Sequence, residues 1–313
     1  MTKSDNLKVA VLAGGVGSER QVSLQSGQTV YHALQEAGLE TVLIDFTPAD
    51  MSILDDGTID VFFLIFHGQF GEDGQVQKIL EDRKLCFTGS GSESSRIAFN
   101  KQLSKDVFAA AGLPVAGHLI VGQNETEAQL LQRLNGFPAQ AVVKPLRQGS
   151  SVGVEMTNEP VLTAAAAMRC MQTYGDCMIE EFVKGREITV GILNGRPLPI
   201  IEIRMKGAFY DFHSKYIDNA TEYLFDTIEG TSVAAHVQEI AVACFNALGC
   251  RHLSRVDFIL TPDGKPYILE INTLPGFTSH SLLPMAARKA GIATSALCRQ
   301  IAEAAWNDFH TMD

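Results

Sequence analysis

Short apolar runs alternate with stretches of helical period along the whole chain. Residues 8–13 form an apolar run that breaks into Gly14, Gly15 and Gly17, and a helical pattern follows to about Ala37, stopped by Gly38. Residues 41–46 read as a second strand. Residues 60–66 read as a third, with the near-continuous apolar character of a strand buried on both faces. Residues 85–88 read as a short fourth. Strands alternating with helices predict a parallel α/β sheet, whose ligands bind beyond the carboxyl ends of its strands. Two loops fall there, residues 14–20 and residues 67–74.

The punctuated run at 89–95, GSGSESS, places a domain boundary near residue 92 and starts a helix that continues through Phe108. That helix carries Lys101 and Lys105, which can be site residues or simply solvated. A small α/β unit follows, with strands at 119–121 and 141–145 around a helix at 125–134. An Ala-rich helix at 161–173 leads to a strand at 178–183. Asn194-Gly195 lies between apolar runs and signals a hairpin, although Pro197 weakens the start of the second strand. Residues 206–226 are polar and aromatic without a clean period, too long for an ordinary connection, and make a candidate lid over an active site. A helix at 236–248 ends at Gly249, and two more lie from about 281 and near 294–309. The pattern divides the chain into units at 1–92, 93–184 and 185–313.

The stretch from Leu253 to Ser281 concentrates the chemistry. Asp263-Gly264, between two apolar runs, predicts a two-residue hairpin turn. Counting outward, Asp257 faces Glu270 and Arg255 faces Asn272, so the four share one face. The other face, Val256, Phe258, Leu260, Tyr267, Leu269 and Ile271, reads as core. Two carboxylates directly across a strand pair repel. With the Asn272 amide beside them they form an all-oxygen set, which suits Mg²⁺ or Mn²⁺ better than zinc. Arg255 can hold an anion that the metal also touches. The competing reading, a hairpin with a solvated charged face, loses ground to the run at 272–281, whose glycine and hydroxyls supply donors beside the proposed metal.

Lys144 sits inside an apolar strand, an unusual place for a lysine unless it meets an anion at a cavity edge. Five residues on, GSSVG at 149–153 is rich in N–H and O–H donors suited to phosphate oxygens, although in isolation it reads as a plain hairpin turn. No GxxxxGK[ST] occurs. The first loop invites a dinucleotide reading, with Asp45 closing the second strand, but Gly15-x-Gly17-x-x-Arg20 lacks the third glycine. Glu19 and His67 can instead grip a small ligand; alone, His67 is as well explained as a strand-end histidine.

Composition narrows the classes. The 313 residues are enough for two or three domains. A formal net charge of −11 argues against a nucleic-acid partner. No apolar run approaches the ~20 residues of a membrane helix, and residues 7–13 are too short for a signal peptide. Six cysteines without a CxxC pair read as reduced core residues of a cytosolic protein.

The ordered set GSERQVS (17–23), HGQFGEDG (67–74), VKP (143–145), GSSVG (149–153), Lys215-Tyr216, RVD (255–257), EINTLPG (270–276) and SHS (279–281) resembles the D-alanine–D-alanine ligases of the ATP-grasp superfamily. The resemblance spans nearly the whole chain, and the set is far more specific than any one member. It departs after Tyr223, where the family usually has a stretch containing Pro-Ala and this chain reads LFDT.

What the resemblance implies is an ATP-grasp fold of mixed α/β and α+β class, with an N-terminal Rossmann-like parallel-sheet domain and ATP held between two α+β domains. It implies D-alanine and ATP as substrates, two Mg²⁺ or Mn²⁺ ions, a homodimer and a cytoplasmic location, with neither nucleic acid nor membrane as partner. Asp257, Glu270 and Asn272 would hold the metals. Lys101, Lys144 and Ser151 would meet the ATP phosphates. Glu180, Glu181 and Val183 would border adenine, and Glu187 the ribose. Glu19, with Ser150, Tyr216 and His67 around it, would take the first amino acid. Arg255 and the Gly276 N–H would stabilise the oxyanion, and Lys215, Ser281 and Leu282 would hold the second carboxylate. Three other readings compete: an ATP-grasp ligase for a different carboxylate or amine, a nicotinamide dehydrogenase, and an ATP-binding regulatory module without catalysis.

Overall fold

A computed structural model describes residues 6–17, 19–205 and 221–311. Its strands form three sheets. In the first, β1 (Lys8–Gly14), β2 (Glu40–Phe46) and β3 (Val61–Ile65) are parallel, in the order β2-β1-β3. Helix α1 (Arg20–Glu36) seats directly on β1, because a Cβ on Gly27 would stand 2.5 Å from that of Ala13. The expected fourth strand at 85–88 reduces to one parallel bridge, Phe62 to Phe87. Thr88 Oγ1 accepts the Leu64 N–H, so a side chain takes the donor that a longer ladder would use.

Helix α2 (Gln75–Asp82) precedes α3 (Ser92–Phe99) and α4 (Lys101–Ala110). The sequence pattern reads the last two as one helix. They are separated by Asn100, which is extended and accepts the Gln102 and Leu103 N–H groups as a cap. The second sheet holds β4 (His118–Val121), β5 (Ala141–Pro145), β6 (Glu155–Thr157) and β7 (Cys177–Glu181), antiparallel in the order β4-β7-β5-β6. Helices α5 (Glu127–Arg133) and α6 (Pro160–Tyr174) cover it through Leu130, Ala164 and Ala167.

The third sheet holds β8 (Arg186–Leu193), β9 (Arg196–Pro197), β10 (Ile201–Met205), β11 (Thr221–Leu224), β12 (Leu253–Leu260) and β13 (Pro266–Asn272), with α7 (Thr231–Ala247) against it. Leu193 pairs with Arg196 across Asn194 and Gly195, both left-handed at φ 49° and 74°, as a two-residue hairpin of this kind requires. After Pro197 the strand resumes only at Ile201. Residues 221–224, the far end of the expected lid, are not loop: they form β11, antiparallel to β10. Residues 206–220 of that segment lie outside the described residues. The two last helices, α8 (Leu282–Lys289) and α9 (Thr294–Thr311), share one apolar core with the first sheet and α1, which includes Leu283, Leu297 and Ile301 with Val9 and Val11 of β1 and Leu34 of α1. All six cysteines are buried and outside any disulfide.

The 253–272 hairpin reaches its expected pairing by a different route. Thr261 pairs with Lys265, so the loop has three residues, with Gly264 left-handed at φ 85°. That shifts the register by one, and Phe258 faces Ile268 rather than Leu269. A bulge between Asp257 and Phe258 shifts it back, so that Asp257 faces Glu270 and Arg255 faces Asn272. The core face changes accordingly. Ile268 is fully buried with Val256, Phe258, Leu260 and Ile271, whereas Tyr267 and Leu269 are half-buried and outside that cluster.

Candidate active site

Glu19 is the residue immediately before α1, at the carboxyl end of β1. Ser150, 131 positions later in the β5–β6 loop, donates its hydroxyl to Glu19 Oε1 at 2.9 Å. Ser150 and Ser151 are both left-handed, at φ 53° and 58°, with Gly153 at 70°. Such consecutive turns aim backbone N–H groups inward and make an anion-binding concavity. Glu19 also lies over Gly68, where a Cβ would come within 3.0 Å of Oε2. The cleft containing Glu19, His67, Asn100 and Arg147 has a volume of about 800 Å³. Asp45, the acid a dinucleotide reading needs, is held through both oxygens by Arg20, at 2.8 and 2.5 Å.

His67 is half-buried, but its Nε2 is shielded from solvent and has no partner among the described residues. Burial, aided by the charge of Arg255, pushes its imidazole down to about 4. A Cβ on Gly276 would sit 3.4 Å from His67 Nε2 and 2.9 Å from Ser281 Oγ, so Gly276 is enclosed by these side chains. Ser281 stands at the N-terminal boundary of α8, where its Oγ makes no cap bond to the helix and instead accepts the Thr278 N–H at 2.9 Å. Leu282 opens that helix, where backbone N–H groups have no partner within the helix.

Three lysines converge from α4 and β5. Lys101 Nζ lies 2.7 Å from Glu270 Oε2 and 2.8 Å from the Gln148 carbonyl. Lys144 Nζ and Lys105 Nζ grip the two oxygens of Glu180 at 2.8 and 2.7 Å. Burial opposes the Glu180 charge, but Lys144 and Lys105 outweigh it and hold the carboxyl below its usual range. Burial in turn pushes Lys105 down to about 8 despite Glu180. Lys105 is therefore not solvated. Glu180 presents its carboxylate to these cations, while Glu181 is exposed and Val183 and Glu187 are half-buried along the β7–β8 connection.

On the hairpin face, Asp257 receives Arg255 at 2.9 and 2.8 Å and the Thr189 hydroxyl at 2.6 Å. Asn272 Oδ1 accepts the Leu274 N–H, which bends the chain toward Gly276. Among the described residues no cluster of three His, Cys, Asp or Glu offers a metal cage. The set is two carboxylates and an amide, all hard oxygens, with protein cations now neutralising the acids. That donor chemistry fits hard divalent ions, which typically keep water and phosphate oxygens as their remaining ligands.

The sequence reading left two residues without a role. One is Lys105, which it named but did not distinguish from a solvated lysine. The other is Glu72, whose carboxyl accepts the Gly68 N–H at 2.6 Å. Burial, with the nearby Glu19 and Glu270 charges, raises it to about 8. Glu72 stands inside the quoted 67–74 loop, and its neighbours were the only signal available. Lys215 and Tyr216 lie outside the described residues.

A family model for the D-ala D-ala ligase C-terminus matches residues 107–303. The chain is 40% identical to the D-alanine–D-alanine ligase of Methylacidiphilum infernorum over 94% of both chains. The chain belongs to the D-alanine–D-alanine ligase family. The ligase of Citrifermentans bemidjiense is 42% identical, over 95% of this chain and 96% of its own. Among solved structures, the family's Bacillus anthracis member, crystallised with ATP, superposes with a TM-score of 0.85 at 31% identity, covering 98% of this chain and all of that one. The mixed parallel and antiparallel sheets are thus the ATP-grasp arrangement of that family. No helix among the described residues is long and apolar enough to cross a membrane.

Proposed function

We propose that this chain joins two D-alanines to D-alanyl-D-alanine at the expense of ATP, through an acyl phosphate, and so supplies peptidoglycan precursors. The carrying observation is the Ser150–Glu19 hydrogen bond, which closes the donor-rich loop onto an acid suited to an amino acid's ammonium. In this reading Glu19 and Ser150 hold the first D-alanine, with His67 beside it. Its carboxylate attacks the γ-phosphorus and ADP departs. The second amine, once deprotonated, attacks the acyl carbon and phosphate leaves. Lys101, Lys144 and the backbone around Ser151 balance phosphate charge before and during transfer. Arg255 and the Gly276 N–H act as preorganised oxyanion donors. Ser281, the Leu282 N–H and Lys215 receive the second carboxylate. Glu181, Val183 and Glu187 border the nucleoside.

Asp257, Glu270 and Asn272 would hold Mg²⁺ or Mn²⁺, which when bound neutralises charge on the transferring phosphoryl group. We take the units as 1–92, 93–184 and 185–313, the location as cytoplasmic and the assembly as a homodimer. The family match and the missing glycine weigh against a dehydrogenase.

The test is phosphate release from ATP with a panel of D- and L-amino acids, with product analysis. D-Alanine should give the highest rate and D-alanyl-D-alanine as product. Equal rates without any amino acid, or a different preferred acid, would refute the assignment. Excess EDTA should abolish turnover and Mg²⁺ restore it.

A further inference from the structure

The segment carrying the proposed oxyanion donor is tied to α1. Phe277, one residue after Gly276, donates its N–H to Ser26 Oγ at 3.2 Å, in a contact between residues 251 positions apart. Ser26 is fully buried. Two turns before it, at the N-terminal boundary of the same helix, stands Glu19. The helix is immobilised where the two meet. Ser23 Oγ accepts the Gly14 N–H at 2.7 Å and donates to the Ile65 carbonyl, clamping the ends of β1 and β3. Gly27 presses on Ala13. Phe277 itself is fully buried, edge-on to Phe63 at 6.1 Å.

We propose that Ser26 is a positioning residue for acyl transfer: by holding the Phe277 N–H it fixes Gly276 relative to Glu19. One rigid helix then sets the distance between the site of the first ammonium and the donor facing the acyl oxygen. The inference rests on the ligase reading and adds to it a residue that touches neither substrate. A buried hydroxyl between two apolar layers serves stability more cheaply as alanine, unless its backbone partner must be held. The peptide it holds adjoins the reacting centre, where small displacements lower rates. The substrates' other contacts are untouched, so the effect belongs in turnover rather than in binding.

The experiment compares Ser26→Ala, Ser26→Cys and Val30→Ala. Val30 is buried on the same helix in the apolar core, and its truncation lowers stability without removing the hydrogen bond to the Phe277 N–H. Ser26→Ala should lower kcat for dipeptide formation by about tenfold, the weight of one ordinary hydrogen bond. KM for ATP and for D-alanine should stay within about twofold, which is below the resolution of one such bond. Ser26→Cys, with a weaker acceptor, should fall between, and the Phe277 amide should exchange faster in both. Val30→Ala should keep kcat at temperatures below its unfolding. An unchanged kcat in Ser26→Ala, or an equal loss in Val30→Ala, overturns the inference; should Ser26→Ala not fold, Ser26→Cys decides by the same criteria. A wild type that makes no D-alanyl-D-alanine overturns the ligase reading itself, whereas an active wild type with unaffected variants overturns only the role of Ser26.

Discussion

Glu19 and Lys105 show how differently two charged side chains serve one site. Glu19 opens onto the cleft and is held by a neutral hydroxyl, so its negative charge remains for a cationic ligand. Glu19→Gln keeps the shape and the hydrogen-bond acceptor but removes that charge. KM for the first D-alanine should rise about tenfold, the range of a charge-assisted bond, with ATP affinity little changed. An equal defect in ATP binding, read by isothermal titration, would place Glu19 in the nucleotide site instead. Lys105 is fully buried, with Glu180 and the Ile268 carbonyl as partners. Lys105→Met removes one cation from around a buried carboxylate, a change that costs about 3–5 kcal/mol. Urea denaturation should show that loss; a change below about 1 kcal/mol, the scale of an exposed pair, would mean that Lys144 alone suffices. Lys105 was unreadable in sequence because a lysine on an amphipathic helix looks the same whether it faces water or a buried acid. Lys144 was readable because a strand interior offers it no water.

At the scale of elements, the 253–272 hairpin has a turn that can be altered separately from its chemistry. Gly264 lies at φ 85°, at the end of the hairpin remote from Asp257 and Glu270. Gly264→Ala should cost about 1 kcal/mol or slightly more, the penalty of a left-handed alanine, and leave kcat unchanged. A fall in turnover at constant KM would show that the turn transmits strain to the face that carries Asp257 and Glu270. The facing of Asp257 and Glu270 was legible from the Asp-Gly signal and the period of two, but the reasoning behind it was incomplete. A three-residue loop and a bulge each displace the register by one, in opposite senses, and neither leaves a mark in the hydrophobic pattern. The core face exposes the difference: Ile268 occupies the place that strict alternation gives to Leu269. The break at Asn100 was similarly invisible, since an asparagine inside a helical period is tolerated until its side chain is seen capping the next turn.

At the scale of the molecule, the distant stretches meet at His252, a junction no local pattern announces. Its Nδ1 accepts the Gly89 N–H at 3.0 Å, so the proton sits on Nε2, which faces Asp308 Oδ2 on α9 at 3.0 Å. Its carbonyl accepts the Asn194 N–H, and its backbone is left-handed at φ 61°. One residue thus ties the segment after the first sheet and the last helix through its imidazole, and the third sheet through its carbonyl. Burial and the Arg251 charge lower it to about 4, against the pull of Asp308. A histidine whose folded value lies below its unfolded value of about 6.5 stays neutral in the fold and charges on unfolding. Its contribution is therefore fully present above about pH 6.5 and is lost as the pH falls toward 4, by at most about 1.4 kcal/mol per unit. His67 has the same sign, whereas Glu72, raised to about 8, works the opposite way between the carboxylate range and that value. The wild-type profile mixes the three, so the comparison must be differential. His252→Gln can still accept from Gly89 and donate to Asp308 but does not titrate. Thermal unfolding of both proteins at pH 7, 6 and 5 should show the wild type losing stability faster on acidification than His252→Gln. Parallel slopes would mean that His252 contributes as a neutral hydrogen-bonding strut in both states, and that acid sensitivity arises elsewhere.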